Sequence, residues 1–475
     1  MSLDWKFCET KQLEYGKPPS AWIAVVIITL VGVAGFGLAV LTWQKSQPVV
    51  SVSFFARALL APLLGSGLLC VCVYAGHEDH TGAVDIWNFL CRRRRARWRA
   101  WSQGGVAMLE SVTLTPEKDL AERMLGLEGS EPRNEGKMLA LSAGRQSATG
   151  EAADDVLLTG TRLEAVLEML VAPFVPCMVR FGTRHTFTVI LQSEDEDGIK
   201  ALRAVLRRLE VPNADRIGID QAGCPPDASL VHQWLNDRAM PEFCLVLACQ
   251  LHKRDQEPRY SEAAVGVLFV REGIISQYKG ELSAKAYVFQ PVSSAADSVA
   301  DALRGMINAQ QISPDRLRHL WLTSMPRQGV HAAVAAASDA GLKVAVHNID
   351  QAIGKHGPAS ALLAQALAAE MVQHGQGMQI VATSGGTGIV LNVTGTKRAA
   401  APAEPEFGLR YFRPLTTLGI ACMCGLLGIF LDVTIAPAGL YATVPALFII
   451  LMTNEALGAQ ARYNEVEDVF YGRSS

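Results

Sequence analysis

Apolar residues fall into two kinds of run along this chain. The first kind is long and uncharged. Residues 22–43 carry no charge and have Trp at both ends, which predicts a membrane-crossing helix with interfacial anchors. Residues 58–76 form a second such run, with Arg57 just ahead of it, and a connection over residues 44–52 makes the two a hairpin. Near the far end, Arg410 and Arg413 precede an apolar run over 415–431; Asp432 interrupts it, and 435–452 follow with Pro437, Gly439 and Pro445. This reads as a second hairpin of two short helices, or as one kinked span with a re-entrant piece. Four crossings put both termini on one side; three put the C-terminus on the other.

The second kind of run is short and alternates with amphipathic stretches. Strands are expected over 186–192, 216–220, 243–250 and 263–270, with helices over 196–210 and 227–237. The pattern then starts again. Strands are expected over 284–289, 317–323, 343–349, 378–382 and 389–393, with helices over 294–310, 329–340 and 358–373. Each set ends in two strands with no helix between them. Strands separated by helices of this length imply crossover connections and largely parallel sheets. Residues 130–150 and 397–406 are rich in small residues and read as linkers.

Composition changes this picture in one respect. Of 475 residues, 49% are hydrophobic and 19% charged, with mean hydropathy +0.19. That is apolar for a purely soluble chain and supports the membrane reading. The 43 basic residues against 46 acidic ones leave a net charge of −3, which argues against a nucleic-acid partner. The ten cysteines show no CxxC, so neither a disulfide scaffold nor a zinc pair is expected, and a reducing compartment fits.

Charge is concentrated in one place. Arg92, Arg93, Arg94, Arg95, Arg97 and Arg99 follow the second apolar run closely. Positive charge at a helix end stays cytoplasmic, and here it is expected to touch anionic lipid, with Trp98 and Trp101 at headgroup level. The stretch 83–90, apolar on one side, is expected to lie along the membrane surface. Other candidate groups read as structural. The run His77-Glu78-Asp79-His80 sits at an expected interface, and Glu194 to Asp197 precede a helix, where acidic charge is favourable. Cys244 and Cys249 lie five apart on one strand and face opposite sides. His347, His356 and His374 are brought near one another only if the mouth of the second set gathers them. Gly32, Gly35, Gly37, Gly65 and Gly67 offer small-residue helix faces for docking to a larger membrane complex.

Several short motifs, taken in order, carry a resemblance. They are Ile219-Asp220-Gln221-Ala222-Gly223-Cys224 before a helix, Ser261 to Leu268, Ile353-Gly354-Lys355-His356-Gly357-Pro358, and Ser384-Gly385-Gly386-Thr387-Gly388 between the last two strands. Over roughly residues 185–395 the chain resembles the thiolase-like superfamily, its β-ketoacyl synthase branch in particular. The resemblance implies an α/β fold of two duplicated halves in α/β/α/β/α layers, here with transmembrane hairpins at both ends. It implies Cys224 as nucleophile and His356 as acid/base, with Gly354, Gly385 and Gly386 as fold motifs.

The family's first histidine has no counterpart in Thr323-Ser324-Met325-Pro326. Pro225 and Pro226, which donate no N–H, follow Cys224. Losing one such partner lowers catalysis by about a hundredfold or more. The expectation is therefore a non-catalytic scaffold or adaptor without cofactor or metal, multi-pass in a bacterial inner membrane, with its soluble domain cytoplasmic and meeting a protein partner there. A homodimer is expected. The alternatives are a membrane-associated acyl-thioester transferase and a structural subunit of a membrane complex.

The layout also resembles, more loosely, the type VI secretion lipase-adaptor family, which implies a secreted effector or spike component as partner. The expected divisions are a hairpin region 1–102 with helices at about 22–43 and 58–76 and a basic segment 91–101, a connecting segment 103–184, a first half 185–275, a second half 276–396, a tether 397–413, and a C-terminal hairpin and tail 414–475.

Overall fold

The computed structural model describes residues 4–5, 10–43, 48–142, 161–222, 228–237, 240–253, 256–385, 388–396, 403–434 and 437–473. Two compact units emerge: Met1–Phe7 with Trp98–Pro402, and Cys8–Arg97 with Ala403–Ser475.

The first unit is built on eleven strands. These are β1 (Gly105–Leu114), β2 (Phe187–Ser193), β3 (Gly218–Gln221), β4 (Phe243–Gln250), β5 (Ala263–Val270), β6 (Ala286–Phe289), β7 (Val292–Ser294), β8 (Leu317–Thr323), β9 (Ala345–Asn348), β10 (Met378–Gly385) and β11 (Gly388–Gly395). Their order is β3-β2-β4-β5-β1-β6-β11-β10-β8-β9, with β7 beside β11. The order contains a duplication. In the first half β2 is parallel to β3 and β4, β4 is antiparallel to β5, and β5 to β1. In the second half β8 is parallel to β9 and β10, β10 is antiparallel to β11, and β11 to β6. Numbering strands within each half, both read 3-2-4-5-1. The halves meet through β1 and β6, with Gly105 opposite Phe289 and Met108 opposite Ala286.

Every central strand is apolar on both faces because each face has its own helix layer. On β4, Cys244, Val246 and Ala248 belong to an inner core, and Phe243, Leu245, Leu247 and Cys249 to an outer one. The inner core includes the helix Ser360–Gln373, in which twelve of fourteen residues are buried; a helix apolar all round is a central helix. Outer helices Arg162–Val171 and Gly198–Arg208 cover the first half, and Val299–Asn308 and Arg327–Asp339 the second. The layers are therefore α/β/α/β/α.

Two divisions of the chain are corrected here. The segment 103–184 is no mere connector: it supplies β1, the fifth strand of the first half, and the outer helix Arg162–Val171. The first half begins at Gly105 rather than at 185. The partners of β1 lie 150 or more positions later in the chain, so no local pattern marks it as part of that half.

The second unit is helical. Among the described residues four helices are long and apolar enough to cross a membrane: Ala21–Thr42, Val52–Ser102, whose last residues belong to the first unit, Pro414–Leu431 and Ala442–Tyr471. The second does not stop at residue 76. Its α-helical part runs unbroken over Ala61–Ser102, through the arginines, so 83–90 is not a separate surface helix. Its 42 residues rise about 60 Å, twice a bilayer's hydrocarbon thickness. Nothing breaks it, because Gly76 and Gly82 are tolerated inside a helix and no proline follows Pro62 before Ser102. Asp432 lies inside the helix Pro414–Thr434 rather than between helices.

Small residues mark close helix approaches within this unit. A Cβ on Gly35 would lie 2.4 Å from Pro62, one on Gly67 2.8 Å from the Cys422 sulfur, and one on Gly425 2.8 Å from Leu64. Gly35 and Gly67 are thus used internally, whereas Gly32 and Gly37 face open space. The His77–His80 run is absorbed by the same packing. The Glu78 carboxylate accepts the Leu415 and Thr416 N–H groups at 3.0 and 3.2 Å, and Asp79 pairs with Arg413. Arg413 and Arg462 share the buried Glu455 at 2.8 and 3.1 Å.

Candidate functional site

The polar groups of the second half gather where β8 and β9 end. Asn348 caps the short helix Ile349–Ile353 by accepting the Asp350 N–H at 3.1 Å. This turns the Asp350 carboxylate toward the end of β8. There it accepts the Thr323 hydroxyl at 2.7 Å and the Ser324 N–H at 2.9 Å. Ser324 stands at φ +57°, and that left-handed turn aims its N–H at the carboxylate. The imidazole Nδ1 of His356 lies 3.2 Å from the same carboxylate. The hydrogen bond with Asp350 holds the His356 pKa above its ordinary value, and its side chain is 44% exposed.

The segment carrying His356 is fixed from behind. Gly354 has φ +91° and ψ −151°, a region essentially closed to other residues; a Cβ there would lie 2.2 Å from the Lys137 carbonyl and 2.8 Å from the Ser261 hydroxyl. Gly357 approaches Gln250, whose side chain accepts the Ala359 N–H at 2.8 Å and donates to the Ser261 carbonyl at 2.7 Å. Just before β5, Glu262 is closed to solvent. It takes both terminal nitrogens of Arg162 at 2.6 Å and the N–H groups of Leu141 and His252 at 2.7 Å. Burial alone acts to raise the Glu262 pKa; these four donors outweigh it and hold the group below the usual range.

The residues singled out from sequence are distributed as follows. Cys224 and Gly386 lie outside the described residues. Gly385 closes β10 opposite Gly388. The three histidines do not meet: His356 pairs with Asp350, His347 with His319 at 3.0 Å, and His374 with Glu122 at 3.7 Å. Glu122, Glu370 and His374 bring ligand atoms within 4.8 Å, two carboxylates and an imidazole. Burial and the neighbouring Glu122 raise the Glu370 pKa. Cys244 and Cys249 are buried on opposite faces of β4, and burial pushes each thiol up to about 12, which disfavours the thiolate. Of the six arginines, Arg93 and Arg97 both pair with Glu404, and Arg94 donates to Thr10 at 3.2 Å.

Sequence reading missed Asp350, the Thr323 side chain and the Arg162–Glu262 pair. Asn348-Ile349-Asp350 carries a helix-start signal, but nothing local says that the carboxylate meets a hydroxyl 27 positions earlier.

No protein-family model matches the chain, and no curated protein matches it in sequence. Solved structures do match in fold. A ketosynthase domain of oxazolomycin synthesis from Streptomyces albus is 11% identical at TM-score 0.41, covering 64% of this chain and 99% of its own. The human mitochondrial 3-ketoacyl-CoA thiolase is 9% identical at TM-score 0.39, covering 62% and 98%. The ketosynthase of module 1 of the bacillaene synthase from Bacillus amyloliquefaciens is 11% identical at TM-score 0.41, covering 70% and 81%. The neighbours are ketosynthases and thiolases; the duplicated 3-2-4-5-1 strand order is a property of this chain in its own right.

Chemically, Asp350 orients an imidazole that is open to solvent. It also takes two donors at the end of β8, the Thr323 hydroxyl and the Ser324 N–H.

Proposed function

We propose that this is a membrane-anchored protein whose thiolase-like unit binds a protein partner rather than condensing acyl thioesters. One observation supports the non-condensing part of the reading: Asp350 takes up the hydroxyl and the N–H donor at the end of β8; the protein partner rests on the sequence layout. Oxyanion stabilisation needs preorganised donors aimed at the position where charge develops. Here the two donors are taken up by the Asp350 carboxylate, which also holds one nitrogen of the imidazole.

The test is incubation of the full-length protein in detergent with acetyl-CoA and a medium-chain acyl-CoA, reading thiol release and the intact mass. No release above the Cys224→Ala background and no acyl adduct are expected. An adduct on Cys224, with turnover lost in both Cys224→Ala and His356→Ala, would overturn the reading. That outcome would establish the second one, an acyl-thioester transferase, which the orientation of His356 by Asp350 favours.

The finer assignments rest on sequence. The arginine-rich end of the second helix supports an inner-membrane protein with its αβ unit in the cytoplasm. The chain layout alone supports an accessory of type VI effector delivery, with an effector or spike component as partner. The homodimer rests on the fold resemblance, and a monomer mass by light scattering would remove it.

A further inference from the structure

The other end of the second half carries a different chemistry. Strands β8, β9 and β10 run parallel, so Thr323 and Asp350 follow their C-terminal ends, and the residues before β8 and β9 lie at their N-terminal ends. The seven residues of β8 separate the two ends by about 20 Å. At the N-terminal end lies a cavity of about 590 Å³, lined by Arg316, Arg318 and Lys343, with Asp315 and His319 beside them and the turn at Gly377 as its floor.

Among the described residues, none of the three cations makes an ion pair with a carboxylate. The lining therefore has an excess of 3 − 1 = 2 positive charges, counting Asp315. The helix Ser360–Gln373 ends here, and its dipole supplies about half a negative charge. That accounts for a fraction of the excess and leaves most of it without a counter-charge. His319 adds none at neutral pH: burial and the neighbouring His347 hold it down at about 4. The three cations are exposed side chains, and the Gly377 turn packs against two of them. Gly377 has φ +77°, and a Cβ there would lie 2.7 Å from the Arg316 carbonyl and 3.0 Å from Arg318 Cγ, so a side chain at this turn would displace Arg318.

We propose that this cavity binds a soluble small molecule through a phosphate or diphosphate group, held by Arg316, Arg318 and Lys343. Two guanidinium forks match phosphate oxygens in pairs, and the ammonium adds a point charge. The volume falls in the range of small-molecule sites and exceeds what a lone inorganic ion fills, so the rest of the ligand lies along the His319 wall. The site is separate from the Asp350–His356 cluster and stands whether or not that cluster turns over a substrate.

The experiment is equilibrium dialysis of the full-length protein in a non-ionic detergent, with radiolabelled pyrophosphate and, separately, ADP. Saturable uptake is expected. It should weaken about tenfold or more in R318E/K343E, and by less in Lys343→Gln, which guards against misfolding of the double variant; each variant's thermal midpoint is checked against the native protein. Tighter uptake of ADP than of pyrophosphate would identify a nucleotide, and equal uptake the phosphate group alone; both support the site. No saturable uptake of either probe, or uptake unchanged in both variants, overturns it. So would retention of phosphatidylglycerol from mixed micelles by the native protein only, with neither soluble probe bound, because the cations would then serve a lipid headgroup.

Discussion

In the first half of the αβ unit, Glu262 is closed to solvent and receives four donors; in the second half, Asp350 receives three, and the imidazole it holds stands in the open. Both are carboxylates paired with a cationic or basic side chain, on halves with the same strand order. What separates them is access. The Arg162–Glu262 pair joins the segment around Leu141 to the start of β5 and the residues after β4, so its hydrogen bonds hold three pieces of backbone together. The Asp350–His356 pair joins the loop after Gly354 to the end of β8 and leaves the imidazole edge to solvent. Pairing alone therefore does not tell the two carboxylates apart; exposure of the imidazole edge does.

Removing the buried partner should have the largest effect. Glu262→Ala leaves Arg162 unpaired and two buried N–H groups without acceptors, and should destabilise the unit by about 3–5 kcal/mol, read as a shift in the denaturant midpoint. Because the folded Glu262 pKa is depressed, its contribution is present above the unfolded value of about 4.5 and is lost as pH falls through the folded value. A denaturant midpoint unmoved by Glu262→Ala would erase the contrast between the halves.

Gly354→Ala comes next. It places a side chain in a glycine-only backbone region and against the Lys137 carbonyl, and should cost about 3 kcal/mol. A loss below about 1 kcal/mol would show that the loop relaxes easily and that His356 is not held in place.

His356→Gln should have the smallest effect on stability, under about 1 kcal/mol, since the pair is exposed and screened. The His356 pKa is raised by Asp350, so the pair's contribution is present below the unfolded value of about 6.5 and lost as pH rises through the folded value. An NMR titration of the His356 ring should show the raised pKa, and Asp350→Asn should bring it back toward 6.5. A ring that titrates at its ordinary value in both proteins would separate His356 from Asp350.

Much of the second half was legible in the sequence, and little of the first half's edge. The strands over 317–323, 343–349, 378–382 and 389–393 and the helix over 358–373 lie where their patterns place them; all but the four-residue edge strand β9 are long and apolar. β1 was not assigned to a half, since its apolar residues 106–109 run into the polar pair Glu110-Ser111 and its partners lie far along the chain. The arginine run was visible as charge, but not as part of a 42-residue helix, because arginine is a good helix former and nothing there breaks the helix. His356 was singled out from a motif; Asp350, which defines its chemistry, was not.

The amino-acid order by itself determined the element types, the duplicated strand-helix pattern and the four long apolar segments. Those follow from the spacing of apolar side chains and from uncharged length, both of which are local. Tertiary structure alone decided which carboxylate serves which cation, why three histidines part company, and where three cations are left around one cavity. Those outcomes depend on contacts between residues tens to hundreds of positions apart. Burial and strand register set them, and neither is a property of any short stretch of chain.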